Sequence, residues 1–247
     1  MTSDSKDQNT QAPPDIFATT RWTVVVAAGG VRAPQSDLAL EELCKIYWYP
    51  LYAYVRRQGH SLEDAEDLTQ AFFARFLEKN YIEGLRSDKG KFRSFLLAAL
   101  KNFLANEWDR SKCLKRGGGV IPLSMDLQEG DTRYVVLPSD DLSPDKMYDR
   151  AWAVTLLERV ITTLRDENES EGKGQLFDQL KPFLTAGKSA PYAAAAETLQ
   201  MSEGNIRVIV HRMRKRYREI LKDEILQTLA DPAQADEEMR ALFNAFA

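Results

Sequence analysis

The chain has 247 residues, of which 44% are hydrophobic and 28% charged, and its formal net charge is −4. This composition predicts a soluble globular protein of one large or two small domains, and it excludes a chain drawn to nucleic acid by its overall charge. The two cysteines, Cys44 and Cys113, lack the spacing of a metal site, and Cys44 lies in an apolar run typical of a core. No signal peptide or membrane-length apolar run is visible, so we expect a cytoplasmic protein without a membrane partner.

The first elements in chain order are a polar segment and two helices. Residues 1–15 are polar, which predicts disorder. Residues 19–28 predict a short helix, capped by one of its first two threonines, whose Trp22 docks on the next segment. Residues 36–57 predict an aromatic-rich helix that Pro50 kinks or splits.

The next predicted helix begins at Ser61 and has an acidic start. Ser61 and Asp64 have the spacing of a capping box with a shorter acid. Its buried stripe consists of Ala65, Leu68, Phe72, Phe73 and Phe76. Four carboxylates lie in its first turns: Glu63, Asp64, Glu66 and Asp67. Clustered carboxylates suit a divalent metal, but no second group of ligands completes a site. The four carboxylates are therefore better explained as a solvated helix start, or as a docking surface for a basic partner, than as a metal site.

A loop at residues 80–91 leads to a long predicted helix, residues 92–110, in which aromatic and cationic side chains alternate. Its apolar face consists of Phe92, Phe95, Leu96, Ala99, Leu100 and Phe103. The opposite side carries Lys101, Asn102, Asn106 and Arg110. Aromatics interleaved with Lys, Arg and Asn are typical of proteins that hold unstacked bases and their phosphates. The alternative is a set of core aromatics beside a solvated face.

The second half of the chain follows a linker-like segment, residues 117–145, which contains glycines, prolines and mostly acidic charges. Helices are predicted at residues 145–164 and 176–184, with a polar connection between them. An amphipathic segment at residues 235–246 could pack on the rest of this half or recruit a regulator. No internal repeat or alternating strand pattern is present, so the predicted fold is all-α, in two helical modules.

Residues 192–221 predict a short helix, a Gly-containing turn and a strongly basic second helix. Ser202 is placed to cap the second helix. Its apolar stripe consists of Ile206, Val210, Met213, Tyr217 and Ile220. Residues 205–222 carry seven Lys and Arg side chains against the single acid Glu219. One buried face and one cationic face are typical of a DNA-reading helix-turn-helix, whereas the alternative is a solvated charged helix.

The layout of residues 36–222 resembles the extracytoplasmic-function group of bacterial sigma-70-type factors. Residues 64–73, DAEDLTQAFF, followed by residues 92–102, FRSFLLAALKN, look like that family's region 2. Residues 192–216 look like its region 4. Each signature alone is moderately specific for this family. The two signatures in this order, on either side of an acidic linker, are a strong indication of the resemblance.

The resemblance implies a role for three surfaces. Asp64, Glu66, Asp67 and Gln70 would bind the clamp coiled coil of the β′ subunit of RNA polymerase. The non-template strand of the −10 element would be held by the loop at residues 86–91 and by Lys91, Arg93, Ser94, Lys101, Asn102, Asn106 and Arg110. The −35 major groove would receive Arg207, Val208, His211 and Arg212, with Lys215, Arg216 and Arg218 nearer the phosphates. Whether Phe92 and Phe103 stack on bases or only pack stays open.

The resemblance also implies partners and boundaries. The partners are promoter DNA and core RNA polymerase, reached through the β′ clamp coiled coil and the β flap, and an anti-sigma factor or other regulator is left open. No cofactor, metal or catalytic residue is implied. The boundaries are an N-terminal extension at 1–35, a region 2-like domain at 36–116, a flexible acidic linker at 117–145, a region 4-like domain at 146–224 and a C-terminal extension at 225–247.

Two other functions compete with this reading. The first is a helix-turn-helix repressor or activator whose N-terminal domain senses a ligand or binds a protein, which gives the acidic linker and the helix at 92–110 no special purpose. The second is a metal-dependent enzyme that uses the acidic cluster at residues 63–67. A sigma factor binds RNA polymerase, whereas such a regulator does not require it. A metal-dependent enzyme should change its thermal stability when divalent metal is added, whereas a sigma factor should not.

Overall fold

The computed structural model describes residues 20–27, 34–78, 91–113, 142–185 and 191–247. Within these ranges every regular element is helical, which confirms the all-α fold. The α-helices are α1 (Arg21–Ala27), α2 (Pro34–Arg57), α3 (Leu62–Glu78), α4 (Phe92–Cys113), α5 (Pro144–Ser170), α6 (Gly174–Leu180), α7 (Tyr192–Leu199), α8 (Glu203–Leu226) and α9 (Ala235–Asn244). Two 3₁₀ turns, Lys181–Leu184 and Pro232–Gln234, follow α6 and precede α9. The predictions for residues 1–15, for the loop at 80–90 and for the linker up to residue 141 fall outside the described ranges.

Helix α2 is the centre of the fold. Every residue from Tyr47 to Val55 is buried, so this stretch has no solvent face. A helix that is apolar on all sides is stable only when other elements surround it, and α1, α3, α4 and α5 pack around α2. Pro50 lies inside the helix without dividing it, so the splitting that the sequence left open is wrong. The surrounding contacts compensate for the backbone hydrogen bond that proline cannot donate.

Helices α3 and α4 bury the stripes that their spacing predicts. Ala65, Phe72 and Phe76 of α3 are at most 1% exposed. The Phe72 ring lies edge-on to Phe103 of α4, with 5.7 Å between the ring centroids. Ser61 caps α3 by accepting a hydrogen bond from the Asp64 N–H at 3.1 Å. The Asp64 carboxylate in turn accepts from the Ser61 hydroxyl rather than from its backbone N–H, because aspartate is shorter than the usual glutamate.

Helix α5 joins the two halves of the chain. It packs along α2 on one side and against α8 on the other. Its predicted apolar face, which includes Met147, Trp152 and Leu156, is buried in the same core. The helix extends through Ser170, so the polar connection predicted from residue 165 is partly wrong. Its last turns are held by the Arg165–Glu169 ion pair at 3.1 Å.

The C-terminal segment returns to the start of the chain. Thr20 donates from its hydroxyl to the Leu229 carbonyl at 2.8 Å, and the Trp22 N–H donates to the Gln227 carbonyl at 3.1 Å. The Phe92 N–H donates to the Thr228 carbonyl at 3.1 Å, beside an antiparallel bridge between Lys91 and Leu229. These bonds place the region after α8 against the first turn of α4.

Helix α9 then packs on α8 and α5, which answers part of the question that the sequence left open. Leu242 is fully buried, whereas Phe243 is 62% exposed and Phe246 is 41% exposed. Over the ranges that the structure describes, no helix combines the length and the apolar character needed to cross a membrane.

Candidate functional site

The cationic helix α8 is built as its sequence predicts. Ser202 caps it by accepting a hydrogen bond from the Asn205 N–H at 3.2 Å. Ile206 and Val210 are at most 1% exposed and face the core. The turn before α8 differs from the prediction, because Gly204 lies inside the helix and Gln200 takes the left-handed conformation, with φ 51°. Glycine is the usual residue in that conformation, and here Gln200 ends α7 instead.

Most side chains assigned to the −35 element share the solvent face of α8. The exposed members are Arg207, Val208, His211, Arg212, Lys215, Arg216 and Arg218. Val208 is 48% exposed, an apolar side chain amid cations, as contact with a thymine methyl group requires. The Arg207 guanidinium lies 4.8 Å from the centroid of the Tyr192 ring and 3.2 Å from Glu203, so both α7 and α8 orient it.

Two cations of α8 are bound by other parts of the protein, although the Arg216 side chain is 46% exposed. Arg216 makes two contacts with the Glu167 carboxylate of α5: its Nη2 lies 2.6 Å from Oε1 and its Nε 2.9 Å from Oε2. Arg214 donates from Nη2 to the Phe183 carbonyl at 2.6 Å. The hydrogen bonds that Arg216 donates to Glu167 lower the pKa of Glu167 and raise the pKa of Arg216. These two arginines therefore hold α8 on its scaffold, and Arg216 is not free for phosphates in this arrangement.

Lys91, Arg93 and Lys101, the described cations among those assigned to the −10 strand, are each paired with carboxylates of this chain. Lys91 Nζ lies 2.7 Å from Glu237 and 3.0 Å from Glu238. Arg93 contacts Glu238 and Asp149, and its guanidinium lies 4.3 Å from the centroid of the Trp152 ring. Lys101 pairs with Asp145. Burial opposes the charge of Lys91, but Glu237 and Glu238 outweigh it and the pKa of Lys91 is raised.

The neutral residues of the same set are accessible. Ser94, Asn102 and Asn106 are exposed along α4. Arg110 also lies in α4, but its side chain is outside the described part of the chain. Phe92 is fully buried and Phe103 is 3% exposed, so in this conformation both pack in the core and neither offers a face to a base.

The acidic residues assigned to the polymerase lie at one wall of an open groove between α3 and α4. Asp64 and Asp67 are exposed and line the groove, and Glu66 and Gln70 are half-buried beside them. The groove has a volume of about 870 Å³, and its other wall includes Lys101 and Trp108 of α4. Among the described residues, no group of three or more His, Cys, Asp or Glu is arranged to hold a metal ion.

Sequence reasoning missed two residues of these surfaces. Trp108 is 61% exposed at the groove, although an aromatic in an amphipathic helix normally indicates burial. Glu238 is fully buried, although an acid in the first turn of a helix normally indicates a solvated cap. The neighbouring sequence does not indicate the exposure of Trp108 or the burial of Glu238, because each depends on which distant helix lies opposite the side chain.

Comparison with known protein families identifies part of this arrangement. Residues 48–112 match the model of sigma-70 region 2. No curated protein and no solved structure matches the chain. The matched residues run from the buried centre of α2 to the end of α4, and the match supports a sigma-70-type sigma factor. Factors of this type are non-catalytic subunits that take part in promoter recognition by RNA polymerase.

Proposed function

We propose that this chain is a sigma factor of the extracytoplasmic-function type that gives bacterial RNA polymerase its promoter specificity. The observation that carries the proposal is the combination of a region 2 match over α2–α4 with a capped helix α8 that presents a separate cationic face. Two DNA-contacting elements on one chain are what recognition of two promoter elements requires.

In this proposal α8 reads the −35 element. Arg207, Val208, His211 and Arg212 enter the major groove, where arginine pairs with guanine and an apolar side chain meets a thymine methyl group. Lys215 and Arg218 lie further along the exposed face and meet phosphates, which fix orientation without reading sequence. Arg216 supports the helix through Glu167 and reaches phosphate only if that ion pair opens.

Helix α4 holds the melted −10 strand in this proposal. Asn102 and Asn106 are exposed amides that can donate to and accept from unpaired base edges. Lys91, Arg93 and Lys101 supply the charge for the phosphates, together with Arg110. Capture of a single strand favours the open promoter without any covalent chemistry, which is consistent with a protein that is not an enzyme.

Helix α3 is the proposed contact with the polymerase. Asp64 and Asp67 give its exposed start a negative charge that complements a basic β′ coiled coil. The groove beside them could receive such a helix, with Trp108 at the opposite wall.

The proposed domain boundaries remain those given by the resemblance. In this proposal the acidic linker at 117–145 follows the RNA path of the core enzyme.

The experiment that tests this function is reconstitution with core RNA polymerase. We expect the purified chain to associate with core enzyme and to start transcription at a defined promoter, and to bind duplex DNA only weakly when alone. Tight duplex binding without polymerase, and no association with polymerase subunits in a pull-down, would instead indicate the helix-turn-helix regulator with an N-terminal sensing domain.

A further inference from the structure

The cations proposed to hold the −10 strand whose side chains the structure describes share one property: each is paired with a carboxylate from the C-terminal half of the chain. Lys91 pairs with Glu237 and Glu238, Arg93 with Glu238 and Asp149, and Lys101 with Asp145. Between 44 and 147 positions separate the partners along the chain. A carboxylate and a phosphate oxygen are both anionic acceptors, so they compete for the same donors.

Glu238 is the centre of this arrangement. Its side chain is fully buried, with Oε2 3.0 Å from Lys91 Nζ and Oε1 2.8 Å from Arg93 Nε. A buried carboxylate is tolerated only when cations compensate for its lost hydration. The side chains of Lys91 and Arg93 are 16% and 12% exposed, so a DNA phosphate cannot reach them while Glu238 occupies this position.

The backbone that leads to Glu238 is hydrogen-bonded to the start of α4 and to the N-terminal segment. The Thr228 carbonyl accepts from the Phe92 N–H, and the Leu229 carbonyl accepts from the Thr20 hydroxyl. The segment that carries Glu238 is therefore anchored at the first turn of α4, next to the two cations. Leu229 and Ala235 of this segment are also buried in the core. The contacts that cover the two cations themselves are ion pairs, which a DNA phosphate can replace.

We propose that residues 228–238 form an autoinhibitory latch: Glu238 occupies Lys91 and Arg93 in the free protein, and the segment is displaced when DNA is held. This inference rests on the proposed function, because it concerns the regulation of the same −10 surface. The apparent affinity for single-stranded DNA is then the intrinsic affinity multiplied by the fraction of molecules in which the latch is open. Free sigma factor is thereby kept from non-specific single strands.

The test compares three full-length proteins: the natural chain, Glu238→Gln and the control Asp236→Asn. Asp236 is exposed in the first turn of α9, and among the described residues it forms no ion pair. The control removes the same charge from the same helix. The probe is a fluorescein-labelled single-stranded oligonucleotide of mixed sequence, and its anisotropy is measured across a series of salt concentrations, without polymerase.

We expect Glu238→Gln to bind the oligonucleotide about tenfold more tightly, because more molecules have the latch open. The slope of log affinity against log salt should also steepen by about 1.4, since each of the two released cations contributes roughly 0.7 on a single strand. Asp236→Asn should change the affinity by less than about twofold and leave the slope unchanged. A Glu238→Gln protein that folds and keeps the natural affinity and slope overturns the latch.

A second measurement decides the matter if circular dichroism shows that Glu238→Gln does not fold. Hydrogen exchange of the natural chain is followed before and after addition of core RNA polymerase and promoter DNA. The latch predicts that amides at 228–238 lose protection while those of α5 keep it. Unchanged protection at 228–238 in a complex that transcribes overturns the latch but leaves the proposed function intact. A chain that binds no polymerase overturns the proposed function, whereas the oligonucleotide measurement still decides the latch.

Discussion

Arg216 and Glu167 face each other across the contact between α8 and α5, joined by two hydrogen bonds of 2.6 and 2.9 Å. The buried stripe of α8, which includes Ile206 and Val210, sets which side chains point to solvent, and the pair joins the helix to α5 beside that stripe. Arg216 therefore positions the proposed DNA-reading residues through α5, in addition to any contact of its own. The pair is only partly buried, with side chains 46% and 37% exposed, so its direct contribution to stability is small.

Glu167→Gln should lower the free energy of unfolding by at most about 1 kcal/mol at neutral pH, as for other solvent-screened ion pairs. Arg216 lowers the pKa of Glu167 below its ordinary value of 4.5, so the pair stabilises the fold above that pH. Its contribution is lost as the pH falls through the lowered pKa of the folded state. Urea unfolding of both proteins from pH 7 to pH 3 measures this, and a difference that grows toward acid would contradict the assignment.

Arg212→Ala should weaken promoter use about tenfold or more, because a base contact in the major groove contributes about 1–3 kcal/mol. Binding to core polymerase should not change, since Arg212 is not among the residues proposed to contact the polymerase. Transcription in vitro and a pull-down with core enzyme measure the two effects. Arg165→Ala, which removes an exposed cation of α5, is the matched control and should leave promoter use unchanged. Equal losses in the two variants would refute a specific role for Arg212.

Asp67→Arg should weaken binding to core polymerase by about tenfold or more, because it places a cation where a basic coiled coil is expected to dock. Asp67 is exposed at the groove wall, so the replacement should leave the thermal midpoint nearly unchanged. Asp166→Arg, on the exposed side of α5, is the control for charge reversal. An affinity for core enzyme that is the same in all three proteins would remove α3 from the proposed interface.

Asn102→Ala should slow the formation of the open complex about fivefold, the loss expected from one hydrogen bond of about 1 kcal/mol. Asn102 is exposed on α4, so neither the fold nor the initial binding of duplex promoter should depend on it. Stopped-flow fluorescence of a promoter labelled near position −10 separates the two steps. A change confined to initial binding would place Asn102 outside the single-strand site.

Cys44 should resist alkylation in the folded protein. Burial raises the pKa of its thiol to about 12, and the residue is 6% exposed, so almost no thiolate is available at pH 8. Iodoacetamide labelling followed by peptide mapping should show no modification of Cys44 until urea unfolds α2. Rapid labelling without denaturant would mean that the core around α2 opens readily.

Much of the local structure could be predicted from the sequence. The caps by Ser61 and Ser202 and the buried stripes of α3 and α8 are confirmed, because each depends on residues within a few positions of one another. The start of α5 was also predicted to within one residue. Periodicity and capping operate over one or two turns, and that is the range within which sequence reasoning succeeded.

The pairings of α4 could not be predicted for the same physical reason. The side chains of Lys91 and Arg93 look like solvated DNA contacts in sequence, and only the tertiary arrangement places Glu238 between them. Gln200 likewise gives no signal for a left-handed backbone, which sequence reasoning expects of glycine. The roles proposed for α3, α4 and α8 in DNA and polymerase binding remain predictions that these experiments test.

The burial of α2 has a consequence for synthesis on the ribosome. Its Tyr47–Val55 stretch needs a cover on every side, and one of those covers is α5, which begins at Pro144. Translation therefore releases α2, α3 and α4 before the helix that completes their core exists. A nascent chain that stops after α4 would expose an aromatic surface to other proteins, so production of this protein in cells should depend on chaperones that bind such chains.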